Sequence, residues 1–327
     1  MNNTIFLLCS ERSGSNFITK LMNRHSRICG PSPKHLINPV ARNYFRYQPL
    51  DLRENWEILV DDILNLFNVK FSIWKASYTR EELLNEVKYG DLSGLLSYFF
   101  RKETECNQKE FCFIKEIKTY EFYPFLKVFF KDSKYLHQVR DPRDMALSWK
   151  KSKIHRGGII QAAKQWKKDQ QEYLKIIELE NLTNSIVSIR YEDLVSNSES
   201  ILRKAMKELG LEYEPEMLDM SKDVLTAKNS KTQKAWENLS KPVIKNNFDK
   251  YKEELTENEI MLIESTCYFE MNHFGYETNF SWDKLINISS TDLNNFNLNE
   301  LKNLAYEPVD GVLDNMRAKQ RFYQHLQ

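Results

Sequence analysis

The sequence predicts an α/β fold in which a doubly wound, mainly parallel central sheet is flanked by helices. Short apolar segments of strand length alternate along the chain with longer segments whose apolar residues recur at helical spacing. Such alternation is typical of parallel strands joined by crossover helices. The predicted strands cover residues 5–9, 111–114, 135–139 and 185–191.

The length of 327 residues is compatible with one large domain and a substantial core. We predict a single α/β domain over residues 1–282, with a helical insertion at about 40–105. The many aromatic side chains of the insertion are assigned to the core rather than to an acceptor pocket. The remainder, 283–327, is predicted to be a weakly helical tail without assigned chemistry, and it is a candidate association element for a homo-oligomer.

Composition narrows the classes of function. The formal net charge of +1 provides no global field for nucleic acid or an anionic membrane. No apolar run approaches the roughly eighteen residues of a membrane span, and no basic leader is present, so a cytoplasmic protein is expected. The five cysteines lack metal-site spacing, which predicts no metal and reduced thiols, with a Cys106–Cys112 disulfide left open.

The first predicted strand leads into a polar loop, residues 10–16, and a helix pattern begins at Phe17. Gly14 allows the backbone to approach a ligand, and Arg12 carries a planar, permanent cation. The amides of a helix N-terminus add to an anion site. The alternative is an ordinary capped turn, and the loop lacks the Walker pattern of nucleoside triphosphate sites. Further side-chain donors are Ser13, Ser15 and Asn16.

A second strand-to-helix junction follows the strand at 135–139. Asp141 suits the N-cap of the next helix, and Pro142 suits its first position. Arg140 stands immediately before this helix, and Ser148 lies inside it. The sequence therefore predicts a second anion site.

Two further places carry candidate acid-base groups. His35 ends a loop rich in Gly and Pro, and its imidazole titrates near neutral pH. Lys115 and Glu116 follow the strand at 111–114, where parallel sheets bind ligands. The alternatives are an exposed loop histidine and a solvated strand end.

Four segments, in this order over about 275 residues, resemble sulfotransferases that use 3′-phosphoadenosine 5′-phosphosulfate (PAPS). Residues 12–16 resemble the family's 5′-phosphosulfate loop, and residues 140–144 with Ser148 resemble its 3′-phosphate motif. Residues 190–194 and 270–276 resemble later elements of the same family. The likeness is greater to the bacterial and tyrosylprotein type than to the cytosolic branch.

The resemblance implies a P-loop-like fold and a donor site without metal. Residues 12–17 would hold the 5′-phosphosulfate, and Arg140 with Ser148 would bind the 3′-phosphate. Lys231 or a neighbour would close over the donor, and Tyr191 would contact the adenine. The product would be adenosine 3′,5′-bisphosphate (PAP), and the acceptor would be a small molecule, lipid or glycan with a hydroxyl.

The resemblance also suggests catalytic roles. Arg12 would stabilise charge on the oxygen that links sulfur to the leaving phosphate, and Lys115 would assist. His35 is the favoured general base, with Glu116 as its rival, because the cytosolic branch has Lys-Thr-His where this chain has Lys115-Glu116. Competing functions are a nucleotide kinase-like phosphotransferase and a non-catalytic nucleotide-binding protein.

Overall fold

The computed structural model describes residues 3–69, 71–219 and 247–324. Its centre is a five-stranded parallel sheet with the strand order β2-β3-β1-β4-β5. Helices flank the sheet and continue into the C-terminal region, which confirms the predicted α/β fold. The strands are β1 Thr4–Cys9, β2 Ile28–Cys29, β3 Phe111–Lys115, β4 Lys134–Val139 and β5 Ile186–Arg190.

Strand β1 occupies the middle of the sheet. Leu7 pairs with Lys115 on one side and with Leu136 on the other. All six residues of the strand are buried because helices cover both faces of the sheet. Phe6 and Leu8 enter one hydrophobic cluster, whereas Ile5 and Leu7 enter the opposite one, as the two-residue period of a strand requires.

Strand β2 was not predicted. It has two residues, and Ile28 and Cys29 pair with Phe111 and Cys112 at the edge of the sheet. A pair of residues is too short for a periodic pattern, and the Gly and Pro residues that follow it indicate only a loop.

Helices account for most of the remaining chain. Within the described ranges they are α1 Ser15–Arg24, α2 Ile37–Asn43, α3 Arg53–Asn68, α4 Arg80–Glu86, α5 Leu92–Cys106, α6 Tyr123–Phe129, α7 Pro142–Lys150, α8 Ile159–Asn181, α9 Tyr191–Ser196, α10 Ser198–Glu208, α11 Tyr251–Glu254, α12 Glu257–His273, α13 Trp282–Leu285, α14 Ser290–Asn303 and α15 Asp310–Arg321. Helices α2 to α5 lie between β2 and β3. Their aromatic residues are mostly core, with Trp56 and Phe99 fully buried, as expected.

The strand order places a topological switch point beside β1. The chain leaves β1 toward β3 on one side, and β4 lies on the other side. Crevices at the carboxyl ends of such strands are the usual ligand sites of open α/β sheets. The fold therefore brings the loops after β1, β3 and β4 to one edge.

The segment after residue 282 is docked on the rest of the molecule. The Glu300 carboxylate in α14 accepts hydrogen bonds from the amides of Ile159 (2.9 Å) and Ile160 (3.3 Å) at the N-terminus of α8. A Cβ at Gly158 would lie 1.8 Å from Glu300 Oε1, so a glycine leaves room for this contact. The sequence predicted a weakly helical tail without assigned chemistry here, and the contact with α8 joins segments far apart in the chain.

The cysteines agree with the expectation of reduced thiols. All five are free, and the Cys106–Cys112 disulfide that the sequence left open is not formed. In the described ranges no helix is both long and apolar enough to cross a membrane. No group of three or more metal-ligating side chains is found among the same residues.

Candidate active site

A cavity of about 760 Å³ opens where the loops after β1, β3 and β4 converge. Its walls come from the β1–α1 loop, the loop before α2, the end of β3, α7, α9 and α15. Most of the predicted site residues line it together: Arg12, Gly14, Ser15, Asn16, Phe17, His35, Lys115, Arg140, Ser148 and Tyr191.

The β1–α1 loop presents a helix N-terminus to this cavity. Gly14 is the N-cap of α1, with φ +85°, and no side chain caps the first amides. These amides and the positive end of the helix dipole favour an anion. A Cβ at Gly14 would lie 2.3 Å from Cε2 of Tyr191, so both the backbone conformation and the packing require glycine.

Ser13 differs from its predicted role as a side-chain donor to a ligand. Its hydroxyl donates to the carbonyl oxygen of Ser10 at 2.6 Å, and its own carbonyl accepts from Gln138 Nε2 at 2.7 Å. The Ser13 side chain is fully buried, and its hydrogen bond stabilises the conformation of the loop. The hydroxyl is therefore used within the chain.

Arg140 connects the second junction to the first. Its Nη1 donates to the Arg12 carbonyl at 3.1 Å, and its Nη2 donates to the Asn247 carbonyl at 3.2 Å. The guanidinium lies over the Tyr191 ring, 4.5 Å from its centroid. Its buried Nε has no hydrogen-bond partner among the described residues. A buried donor in this state is costly unless a ligand satisfies it.

The two predicted anion sites adjoin each other. Arg12 Nε donates to Ser148 Oγ at 3.0 Å, which joins the β1–α1 loop to α7. Burial and the nearby charge of Arg140 lower the pKa of Arg12. The guanidinium groups of Arg12 and Arg140 repel each other, and an anion bound between them would relieve this repulsion.

Lys115 adds a third cation at the end of β3. Its Nζ donates to Asn16 Oδ1 at 2.6 Å, so it faces the start of α1. Burial lowers the pKa of Lys115 to about 8. A bound anion would favour the charged ammonium again.

His35 and Glu116, the two candidate bases, are neighbours rather than separate sites. His35 Nδ1 lies 3.6 Å from Glu116 Oε2, and Glu116 Oε1 accepts the Ile37 amide at 3.0 Å. His35 lines the cavity, whereas Glu116 lies behind it and does not. Burial is the largest cause that lowers the pKa of His35, and the positive charge of Lys319 lowers it further. The imidazole is therefore neutral at pH 7, which is the form of a general base.

Sequence reasoning missed a second His-carboxylate pair in the cavity wall. His155 Nε2 lies 2.9 Å from Glu11 Oε2, and its Nδ1 lies 2.8 Å from Ser152 Oγ. Burial alone would raise the pKa of Glu11, but the hydrogen bond and charge of His155 lower it to about 2. These residues are far apart in the chain, and no local pattern connects them.

Sequence reasoning also missed the part that α15 plays. Four of its side chains line the cavity, namely Val312, Asn315, Met316 and Lys319. The predicted closing residue Lys231 lies outside the described residues.

Comparison with known proteins gives concordant results. A family model described as Sulfotransferase family matches residues 4–215, more than half of the chain. The solved sulfotransferase domain from the curacin biosynthetic pathway is 17% identical, with 85% of this chain and 99% of that chain covered and a TM-score of 0.53. The sulfotransferase domain from the Synechococcus PCC 7002 olefin synthase is 15% identical, with 100% of this chain and 96% of that chain covered and a TM-score of 0.49. No curated protein matches significantly. The first structural similarity shows a shared fold.

Proposed function

Because the chain belongs to the sulfotransferase family, we propose that it transfers the sulfuryl group of PAPS to an acceptor hydroxyl and releases PAP. One observation carries the proposal: two cationic strand-to-helix junctions adjoin in one cavity, joined by the 3.0 Å contact between Arg12 Nε and Ser148 Oγ. A donor with a 5′-phosphosulfate and a separate 3′-phosphate matches two such sites.

The residues of the first junction, Lys115 and the second junction form what we call the donor half of the cavity. The 5′-phosphosulfate would lie at the N-terminus of α1, between Arg12 and Lys115. The 3′-phosphate would accept hydrogen bonds from Arg140 and Ser148. The fit is supported by the unpartnered Nε of Arg140 and by the absence of space for a side chain at Gly14. Tyr191 would border the adenosine.

Transfer would proceed by in-line displacement. His35 takes the proton of the acceptor hydroxyl while that oxygen forms a bond to sulfur. The bond from sulfur to the 5′-phosphate oxygen breaks, and its electron pair leaves on PAP. Arg12, Lys115 and the α1 amides stabilise this charge. Glu116, 3.6 Å from His35 Nδ1, would stabilise the imidazolium and leave Nε2 to accept the proton.

A melting experiment tests the donor. PAP at about a hundred times its dissociation constant should add about 2.7 kcal/mol to the free energy of unfolding. Arg140→Ala should reduce this stabilisation because a charge-assisted contact is lost. Arg203→Ala is the matched control, since Arg203 is exposed and pairs with Glu199 on α10.

Two outcomes would contradict the proposal. Stabilisation by ATP with Mg²⁺ but none by PAP would favour the kinase-like alternative. Binding of PAP without consumption of labelled PAPS, across a panel of hydroxyl compounds, would favour a non-catalytic nucleotide-binding protein.

A further inference from the structure

Helix α15 presents one continuous stripe to the cavity. The stripe consists of Val312 and the residues three, four and seven positions after it, which are Asn315, Met316 and Lys319. This is the spacing of a single helical face. Their side chains therefore form a common wall of the cavity.

This wall is fixed in place by contacts on its other sides. Arg321 pairs with the buried Asp62 at 3.2 Å. Phe322 is fully buried, with its ring 6.3 Å from that of Tyr47. Asn315 Nδ2 donates to the Lys34 carbonyl at 3.5 Å. Lys319 is consequently held at the cavity by a rigid element.

Lys319 has no hydrogen-bond or ion-pair partner in the part of the chain that the structure describes. The carboxylates of Glu116 and Glu11 act on it at longer range. Glu116 Oε1 accepts the Ile37 amide, Glu116 Oε2 has no hydrogen-bond partner among the described residues, and Glu11 pairs with His155. Burial lowers the pKa of Lys319 to about 8. Lys319 is only partly buried, and an anionic ligand beside its ammonium would favour the charged form.

Apolar side chains also line this part of the cavity. The cavity wall near His35 and α15 includes Pro33, Phe71, Ile117, Val312 and Met316. Together with His35 and Lys319, these residues form what we call the acceptor half of the cavity. Such a surface suits an apolar body that ends in a charged group.

We propose that the acceptor is an amphipathic hydroxyl compound with an anionic group, a carboxylate or a phosphate monoester, and that Lys319 binds this group. The inference rests on the proposed function, because it assigns the hydroxyl to His35 and the sulfuryl donor to the opposite half. The apolar side chains contact the body of the acceptor, and Lys319 favours acceptors that carry a negative charge.

Calorimetry on the PAP-saturated protein tests the proposal. The probes are ω-hydroxylauric acid, the corresponding hydroxyalkyl phosphate and the methyl ester of the acid. Both anions should bind about tenfold or more tightly than the neutral ester, and their ratio identifies the preferred anion. Lys319→Met should abolish the preference, whereas Lys319→Arg should keep most of it. Arg317→Met is the control, because Arg317 is an exposed cation of the same helix that pairs with Asp314.

The results separate this inference from the proposed function. Failure of the wild-type protein to bind PAP would overturn the proposed function. If PAP binds normally, three results would overturn the role of Lys319. The wild-type protein could bind the anions and the ester with equal affinity, or it could bind none of the probes. The third result is that Lys319→Met weakens the binding of all probes equally. Loss of the PAP melting shift in Lys319→Met would assign the lysine to the donor instead.

Discussion

The two halves of the cavity are built in different ways. In the donor half, the lining comes from loops that directly follow β1, β3 and β4, and it offers the backbone amides of α1 and three cations. In the acceptor half, the surface is assembled from a loop before α2, one residue after α3, Ile117 after β3 and a helix near the C-terminus. The difference teaches that the sheet positions the lining of the donor half, whereas the lining of the acceptor half depends mainly on packed peripheral elements.

The largest expected effect separates chemistry from donor binding. His35→Ala should lower kcat by about 10²–10⁴-fold because the general base is lost. The PAP melting shift should remain, since His35 lies outside the donor half. Glu116→Gln should cost less, as Glu116 acts through the imidazole. Near-normal turnover in His35→Ala, with loss of turnover in Glu116→Ala, would make Glu116 the base.

A smaller effect is expected when the donor loop is altered. Gly14→Ala should weaken PAP binding by about tenfold. The left-handed backbone at this position costs an alanine about 1–2 kcal/mol. Its Cβ would also lie 2.3 Å from Cε2 of Tyr191 and so force the loop or the ring to move. Gly90→Ala is the matched control, with φ +81° but no atom within 3.7 Å of the new Cβ. It should lower stability without changing PAP affinity. Equal PAP affinity in both variants would contradict the close packing at Gly14.

The smallest expected effect links the two halves through pH. Burial and the charge of Lys319 lower the pKa of His35 in the unliganded protein, as Lys115 also does, while Glu116 opposes them. The acid limb of kcat/KM, which reports the free enzyme, should therefore lie below pH 6.5. Removing a positive charge stabilises the imidazolium, so Lys319→Met should move this limb to higher pH. The measurement is a pH profile of kcat/KM with PAPS and acceptor well below saturation. An unmoved limb would show that Lys319 does not act on the base.

The donor half was predictable because its signals are local. Arg12, Gly14, Arg140 and Ser148 belong to two strand-to-helix junctions, where a change of period and the capping residues identify the element boundaries. Parallel strands then bring the junctions to one edge without further information. Ser13 was the exception, since its hydroxyl turned inward to the Ser10 carbonyl.

The acceptor half was not predictable for the opposite reason. His35 was identified by its chemistry, but its proximity to Glu116 arises from β3 and the loop before α2 meeting in space. Lys319 lies near His35 only through contacts between segments far apart in the chain, and the Glu11–His155 pair, in another part of the cavity wall, was missed for the same reason. Periodicity describes which face of α15 is buried, but not whether that face meets a core or a cavity.

The docking of Glu300 on the amides of Ile159 and Ile160 has a consequence for biosynthesis. The ribosome makes the donor loops and α8 well before it makes α14 and α15. The nascent chain therefore contains the residues of both junctions before it contains the wall formed by α15. Helix α14, which docks on α8, precedes α15 along the chain, so this wall of the cavity is completed after the donor loops have been made.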